Sequence, residues 1–139
     1  AIHWYRWCPM SFGPDFGNML SLISSADGRV RQGGMVYRDG SYDLISECEI
    51  DTDWDDNDYQ TALRATVRTE SGGEYEVTGE VLSLIPLRNR RTSPEGESLQ
   101  TRITEGMTEY RCGDRLGYGM SEYLDQIIDG RPAGRRGPN

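Results

Sequence analysis

The sequence predicts an all-β fold, an antiparallel barrel or strongly curved sandwich of about eight strands. Turn signals recur at short, even intervals, the segments between them are apolar or alternate polar with apolar residues, and few stretches show a helical period. The strongest turn signals are Asp27-Gly28, Asp39-Gly40, Ser71-Gly72-Gly73 and Gly113-Asp114. Their glycines supply the positive φ angles that tight hairpin loops require.

The turn signals divide the chain into segments that are predicted to be strands. In chain order these strands cover residues 4–10, 16–25, 30–38, 41–51, 59–70, 74–86, 99–111 and 116–124. Residues 88–97 are predicted to form a long polar loop. The sequence predicts one barrel-like domain, residues 1–128, and a disordered tail, residues 129–139, which is rich in Gly, Pro and Arg. Because the chain starts within an aromatic stretch, we expect a processed product or a piece of a longer polypeptide.

The turns also predict which residues face each other across each hairpin. A two-residue turn at 39–40, another at 27–28 and a three-residue loop at 71–73 give the pairs Tyr37/Tyr42, Met35/Leu44, Leu20/Met35, Val67/Val77 and Leu63/Val81. In each pair an apolar residue meets another, as a sheet with one buried face requires.

Composition argues against several classes of function. The chain has 139 residues, 23 acidic and 15 basic side chains and a net charge of -8, so we expect no nucleic acid partner. It has no apolar run long enough to span a bilayer. Cys8, Cys48 and Cys112 are far apart and His3 is the single histidine, so we expect reduced thiols, a cytoplasmic location, no metal and no cofactor. The acidic segment 51–58 lacks the glycine and glutamate of a calcium loop and is interpreted as a solvated loop.

The last hairpin contains the pattern that points most directly to chemistry. With Gly113-Asp114 as its turn, Glu105 faces Glu122 on a strand face that is predicted to be apolar. The Cβ atoms of such a pair are about 5 Å apart. Close like charges and burial oppose joint ionisation, so one carboxyl is expected to keep its proton and donate it beside a carboxylate. Tyr118 is predicted on the same face, where it would orient a water molecule.

Two other interpretations of the carboxyl pair stay open at this point. The pair would be part of an ordinary ion-pair network if Arg6, Arg38 or Arg102 neutralises it. It would also have no special chemistry if its face of the hairpin is exposed to water.

Aromatic and methionine side chains are candidates for the lining of an apolar ligand pocket. The candidates are Trp4, Trp7, Tyr37, Met107 and Met120. The alternative is that the aromatic residues belong to the core, where they would bury a large area.

Several motifs resemble those of a bacterial protein family of unassigned role. They are Trp4-Tyr5-Arg6-Trp7, residues 34–40 (GMVYRDG), residues 105–108 (EGMT) and residues 117–126 (GYGMSEYLDQ). That family is similar to the carotenoid 1,2-hydratase and AttH-like group, and the resemblance covers most of residues 1–126. It implies a calycin-type, lipocalin-like barrel, usually one of two in tandem, of which this chain would match the carboxy-terminal unit. It also implies water addition to an isolated alkene, or isomerisation of an apolar substrate, without a metal.

The pattern and the resemblance together predict a cofactor-free hydratase or isomerase that acts on a hydrophobic, terpenoid-like small molecule through Glu105 and Glu122. One alternative is a lipocalin-like module that binds an apolar ligand without chemistry. Another is the docking half of a two-barrel protein, whose partner would be a second calycin-like domain or another copy of the chain.

Overall fold

The computed structural model describes residues 2–135, which form antiparallel strands joined by short loops. The strands are β1 (Ile2–Ser11), β2 (Phe16–Ser25), β3 (Val30–Arg38), β4 (Ser41–Trp54), β5 (Gln60–Thr69), β6 (Glu74–Thr92), β7 (Ser98–Cys112), β8 (Arg115–Ile128) and β9 (Arg131–Pro132), followed by a 3-10 helix at Ala133–Arg135. Each strand pairs with the next one, and β1 also pairs with β8, which closes an eight-stranded barrel. The predicted fold class is therefore confirmed, and the barrel matches the lipocalin-like type.

Two strands extend into segments that were predicted to be loops. Strand β4 continues to Trp54 and takes in the first half of the acidic segment 51–58, leaving a short loop before Gln60. Strand β6 continues to Thr92 and pairs with β7 along its length, so the predicted polar loop at 88–97 is reduced to five residues, 93–97. Both errors arise because exposed strands carry polar side chains that also suit a loop.

Two hairpins have the predicted register. Asp39 and Gly40 have positive φ angles of 49° and 86°, and Tyr37 pairs with Tyr42 across them. In the last hairpin Gly113 has a φ of 62°, and the pairing is the predicted one throughout. The confirmed pairs include Met35/Leu44, Ile103/Leu124, Glu105/Glu122 and Met107/Met120.

The predicted registers around the other two turns are wrong, because both loops begin one residue earlier than expected. Each is a three-residue loop whose last residue, Gly28 or Gly72, has a positive φ. Around Gly28 the pairing is shifted by one residue from the predicted one, so each residue meets a partner whose side chain was expected on the opposite face of the sheet. Around Gly72 the shift is two residues, which leaves each partner on the expected face. The observed pairs are Leu20/Gly34, Val67/Tyr75 and Leu63/Gly79 in place of Leu20/Met35, Val67/Val77 and Leu63/Val81.

The barrel interior has an apolar part and a polar part. The apolar part includes Cys8, Phe16, Leu20, Val36, Leu63, Val67 and Val77. In the polar part, the amide of Gln60 donates to the carbonyl of Ser121 (3.1 Å) and accepts from the hydroxyl of Thr104 (2.8 Å). Because these buried polar groups satisfy one another, strands β7 and β8 can direct a polar face into the barrel.

A buried ion pair lies at one end of the barrel and is covered by the carboxy-terminal segment. Arg6 and Asp125 are 0% and 1% exposed, and two hydrogen bonds of 3.1 Å join the guanidinium to the carboxylate. The backbone N–H of Gly134 donates to the same carboxylate (2.8 Å). The prediction of a disordered tail is therefore wrong for 129–135, which form a turn, β9 and the 3-10 helix. Residues 136–139 lie outside the described part of the chain.

The three cysteines are free thiols. Cys8 and Cys48 are buried, and burial raises the pKa of each thiol to about 12, which keeps both protonated at neutral pH. No helix within residues 2–135 has the length and apolar character needed to cross a membrane.

Candidate functional site

Glu105 and Glu122 lie opposite each other on the outer face of the barrel wall, in the middle of β7 and β8. Their strand neighbours Thr104, Ser121 and Tyr123 point inward and are at most 1% exposed. The face that carries the two glutamates is therefore half-buried rather than part of the core. The prediction that its apolar residues mark the buried face is wrong, because the interior of this hairpin is the polar part of the barrel.

The two carboxyl groups lie close enough for each to affect the protonation of Glu105. The pKa of Glu105 is raised to about 7, chiefly by burial, then by its hydrogen bond with Glu122 and the negative charge of that residue. The hydroxyl of Tyr5 donates a hydrogen bond of 2.6 Å to Oε2 of Glu122. Burial and the neighbouring carboxylates raise the pKa of Tyr5, so its hydroxyl stays protonated and remains a donor. The cluster can therefore hold a proton on Glu105 close to neutral pH.

Apolar side chains surround the carboxyl pair on the same outer face. On the neighbouring strands, Ile85 of β6 pairs with Glu105 and Trp7 of β1 pairs with Glu122, so an apolar residue lies on each side of the carboxyl pair. The two adjacent rows of paired residues contribute Met107, Met120, Ile103 and Leu124. A depression of about 280 Å³ beside Glu122 is lined by Tyr5, Trp7, Ser21 and Ile23. This surface, named here the acid site, combines a proton donor with an apolar wall that is open to solvent.

None of the three candidate arginines neutralises the pair. Arg6 binds Asp125 inside the barrel. Arg102 donates hydrogen bonds to the backbone carbonyls of two loop residues, one of them Asn57 at 2.9 Å. Arg38 lies over the ring of Phe16, with its guanidinium carbon 5.0 Å from the centroid. The ion-pair interpretation with these arginines therefore does not hold. The other interpretation, a face exposed to water, is met in part, since both glutamates lie on the outer face and are neither buried nor fully exposed.

The structure brings together five of the eight predicted site residues. Those in the acid site are Glu105, Glu122, Trp7, Met107 and Met120. Tyr118 shares their face but pairs with Glu109, four residues along β8 from Glu122, which is about 13 Å at the usual strand rise.

Trp4 and Tyr37 lie elsewhere. Trp4 points into the barrel, where it is 5% exposed and packs against the guanidinium of Arg6, so it belongs to the core. Tyr37 packs on Tyr42, with ring centroids 5.2 Å apart, at the β3–β4 hairpin. Neither contributes to the acid site.

The hydrogen bond between Tyr5 and Glu122 is a feature of the acid site that the prediction lacks. This contact depends on the pairing of the first strand with the last, in which Tyr5 faces Leu124. No turn links these two strands, so no loop length predicts their register. Within residues 2–135, no group of three or more His, Cys, Asp and Glu side chains has a geometry that could hold a metal ion.

Comparisons with known proteins give the family of the chain. The searches of curated proteins and of solved structures returned no match. Residues 1–127 match the model of DUF7064, described as a domain of unknown function. Because this match covers nearly the whole chain and the whole closed barrel, the chain belongs to the DUF7064 domain family.

Proposed function

We propose that this domain is a cofactor-free hydratase or isomerase that acts on a hydrophobic, terpenoid-like small molecule at the acid site. The observation that carries the proposal is the pair of Glu105 and Glu122, which is not neutralised by the candidate arginines and keeps a proton near neutral pH among apolar side chains. A carboxylic acid with a pKa close to the working pH is suited to general acid catalysis.

In the proposed hydration, a proton and a water molecule add across the double bond of an alkene, and the water then releases a proton to the protein. Glu105 gives its proton to one carbon of an isolated alkene, and water forms a bond to the other carbon, where the positive charge develops. The proton that this water loses returns to the carboxylate pair, so the product is an alcohol and the site is restored. Tyr5 holds Glu122 in place through its 2.6 Å hydrogen bond, which favours keeping the proton on Glu105.

The openness of the acid site favours hydration over isomerisation. Trp7 is 39% and Met107 is 41% exposed, so water reaches the apolar wall on which the substrate would lie. A carbocation that must only lose a proton is better protected in a site without water. The acid site instead supplies water from solvent directly to the reacting carbon.

A second candidate function is non-catalytic binding of an apolar ligand on the same surface, or docking of a second calycin-like domain there. The exposed apolar side chains around the pair favour it, since Ile85 and Leu87 are each 52% exposed. In that case the apolar wall would do the binding and the two carboxyls would be dispensable.

Deuterium incorporation into a small set of terpenoid alkenes tests the proposal. The protein is incubated in D2O with geraniol, farnesol or squalene, and mass spectrometry measures carbon-bound deuterium. We expect incorporation by the unmodified protein and none by Glu122→Gln, which keeps the shape of the pair but loses its charge. The matched control is Glu109→Gln, since Glu109 lies on the same face of β7 but is paired with Arg111 (3.5 Å).

The outcomes separate the two candidate functions. Incorporation that Glu122→Gln does not change contradicts the catalytic role of the pair. Tight binding of these alkenes without incorporation, retained in the double variant Glu105→Gln/Glu122→Gln, supports the binding function instead.

A further inference from the structure

Strands β3 and β4 separate along half of their length and leave a seam in the barrel wall. They pair only where Met35–Arg38 meets Ser41–Leu44. Beyond that point β4 pairs with β5 on one side alone, and no strand within residues 2–135 pairs with its other edge from Glu47 to Asp53. In a strand, alternate N–H and C=O groups point to each edge, so this edge presents a row of hydrogen-bonding groups.

A cleft of about 610 Å³ runs along this seam, and its lining shares no residue with the acid site. Its floor is apolar and consists of Leu22, Cys48 and Ile50, each at most 4% exposed. Val30 and Gln32 of β3 form the opposite wall. The amide of Gln32 donates to the carbonyl of Ser46 (3.2 Å), which marks the narrow end where β4 leaves β3.

The outer face of β4 along the seam is acidic. Glu47, Glu49, Asp51 and Asp53 project from alternate positions. Arg64 forms ion pairs with both Asp51 and Asp53. Arg68 forms ion pairs with both Glu47 and Glu74. Glu49 pairs across the sheet with Thr66, which carries no charge. The acids therefore outnumber the neighbouring arginines, and a basic side chain next to Glu49 would gain a partner.

We propose that the free edge of β4 recruits an extended segment of a partner protein in which apolar and basic residues alternate. The backbone of that segment would add a strand to β4 through main-chain hydrogen bonds. Because side chains alternate across a strand, its apolar residues would face Leu22 and Ile50 while its basic residues face Glu49 and Asp51. A second copy of this edge is a poor occupant, since antiparallel self-pairing brings like charges together. The proposal is independent of the acid site.

A synthetic peptide of alternating arginine and valine tests the proposal. Its binding to the full chain is measured by fluorescence anisotropy, and the contact is located by amide hydrogen exchange. We expect saturable binding with protection of the amides between Glu47 and Asp53. The key control is the same peptide with alternate backbone amides N-methylated, which keeps every charge but cannot pair. It should bind at least about 10-fold more weakly, because strand addition depends on main-chain hydrogen bonds.

A charge reversal on the protein provides the matched comparison. Glu49→Arg should weaken peptide binding about 10-fold, while Glu80→Arg, the same change at an exposed position of β6 away from the cleft, should weaken it by less than about 2-fold. Equal losses in the two variants, equal affinity for the methylated peptide, protection outside β4, or no binding would each overturn the proposal.

Discussion

Replacing Asp125 with alanine is expected to lower the free energy of unfolding by about 3–5 kcal/mol, because it leaves the charge of Arg6 buried without its partner. Arg6 is 0% exposed, and its guanidinium carbon lies 4.2 Å from the ring centroid of Tyr123 and 4.8 Å from that of Trp4. The backbone N–H of Gly134 would lose its acceptor as well, which would release the carboxy-terminal segment from the end of the barrel.

Urea unfolding followed by tryptophan fluorescence measures this effect. The matched control is Asp53→Ala, which removes a 55% exposed partner of Arg64 and should cost at most about 1 kcal/mol. The double variant Arg6→Met/Asp125→Leu should recover most of the lost stability, since it removes both charges together. If Asp125→Ala is no more destabilising than Asp53→Ala, the assigned role of the buried ion pair is wrong.

The second large effect is expected for Glu105→Gln, which should lower the rate of deuterium incorporation about 100-fold or more, because it removes the proton donor. The same change should stabilise the fold at about pH 8. The pKa of Glu105 is raised from 4.5 to about 7 in the folded protein, so the folded state holds this proton more tightly than the unfolded state. Unmodified protein therefore loses stability as the pH rises from about 4.5 through about 7, whereas the glutamine variant does not.

Thermal unfolding at about pH 5 and about pH 8 checks the sign of this effect. After allowance for solvent screening of the half-buried pair, we expect Glu105→Gln to gain about 1 kcal/mol at the higher pH relative to the lower one. Glu109→Gln on the same strand should show no such dependence. A glutamine variant that loses stability at about pH 8 would show that Glu105 serves the fold rather than a proton-transfer site.

Local patterns in the sequence predict most of the strands and the centre of the acid site. The turn at Asp39-Gly40 and the turn at Gly113 have loops of the expected length, so counting outward from them gives the correct partners, including Glu105 opposite Glu122. The loops that end at Gly28 and Gly72 each begin one residue earlier than expected. At the first turn a glycine would supply the positive φ of a two-residue or a three-residue loop, and at the second either Gly72 or Gly73 could end a three-residue loop, so composition alone gives neither position.

The inward face of the last hairpin could not be predicted from hydropathy. Thr104, Thr108 and Ser121 are at most 2% exposed, whereas Met107 on the opposite face is 41% exposed. The hydroxyl groups of Thr108 and Ser121 lie 3.0 Å apart and form a hydrogen bond inside the barrel. When buried polar side chains form hydrogen bonds with one another, the face that carries them has the same polar composition as a face exposed to water.

Contacts between distant parts of the chain account for the remaining errors. The carboxy-terminal segment is ordered because Gly134 reaches Asp125 and Arg131 pairs with Asp58 (3.2 Å), although its composition is typical of a linker. Tyr5 reaches Glu122 only because β1 closes the barrel against β8. Neither contact leaves a local signal in the sequence.

The most direct test of whether Glu105 keeps its proton near neutral pH is an NMR titration of its side-chain carboxyl in protein labelled with 13C. We expect a midpoint near pH 7, which falls only part of the way to 4.5 in Glu122→Gln, because the negative neighbour is lost while burial, the largest cause of the shift, remains. A midpoint near 4.5 in the unmodified protein would contradict the proposal, since Glu105 would then be ionised at neutral pH and would hold no proton to donate.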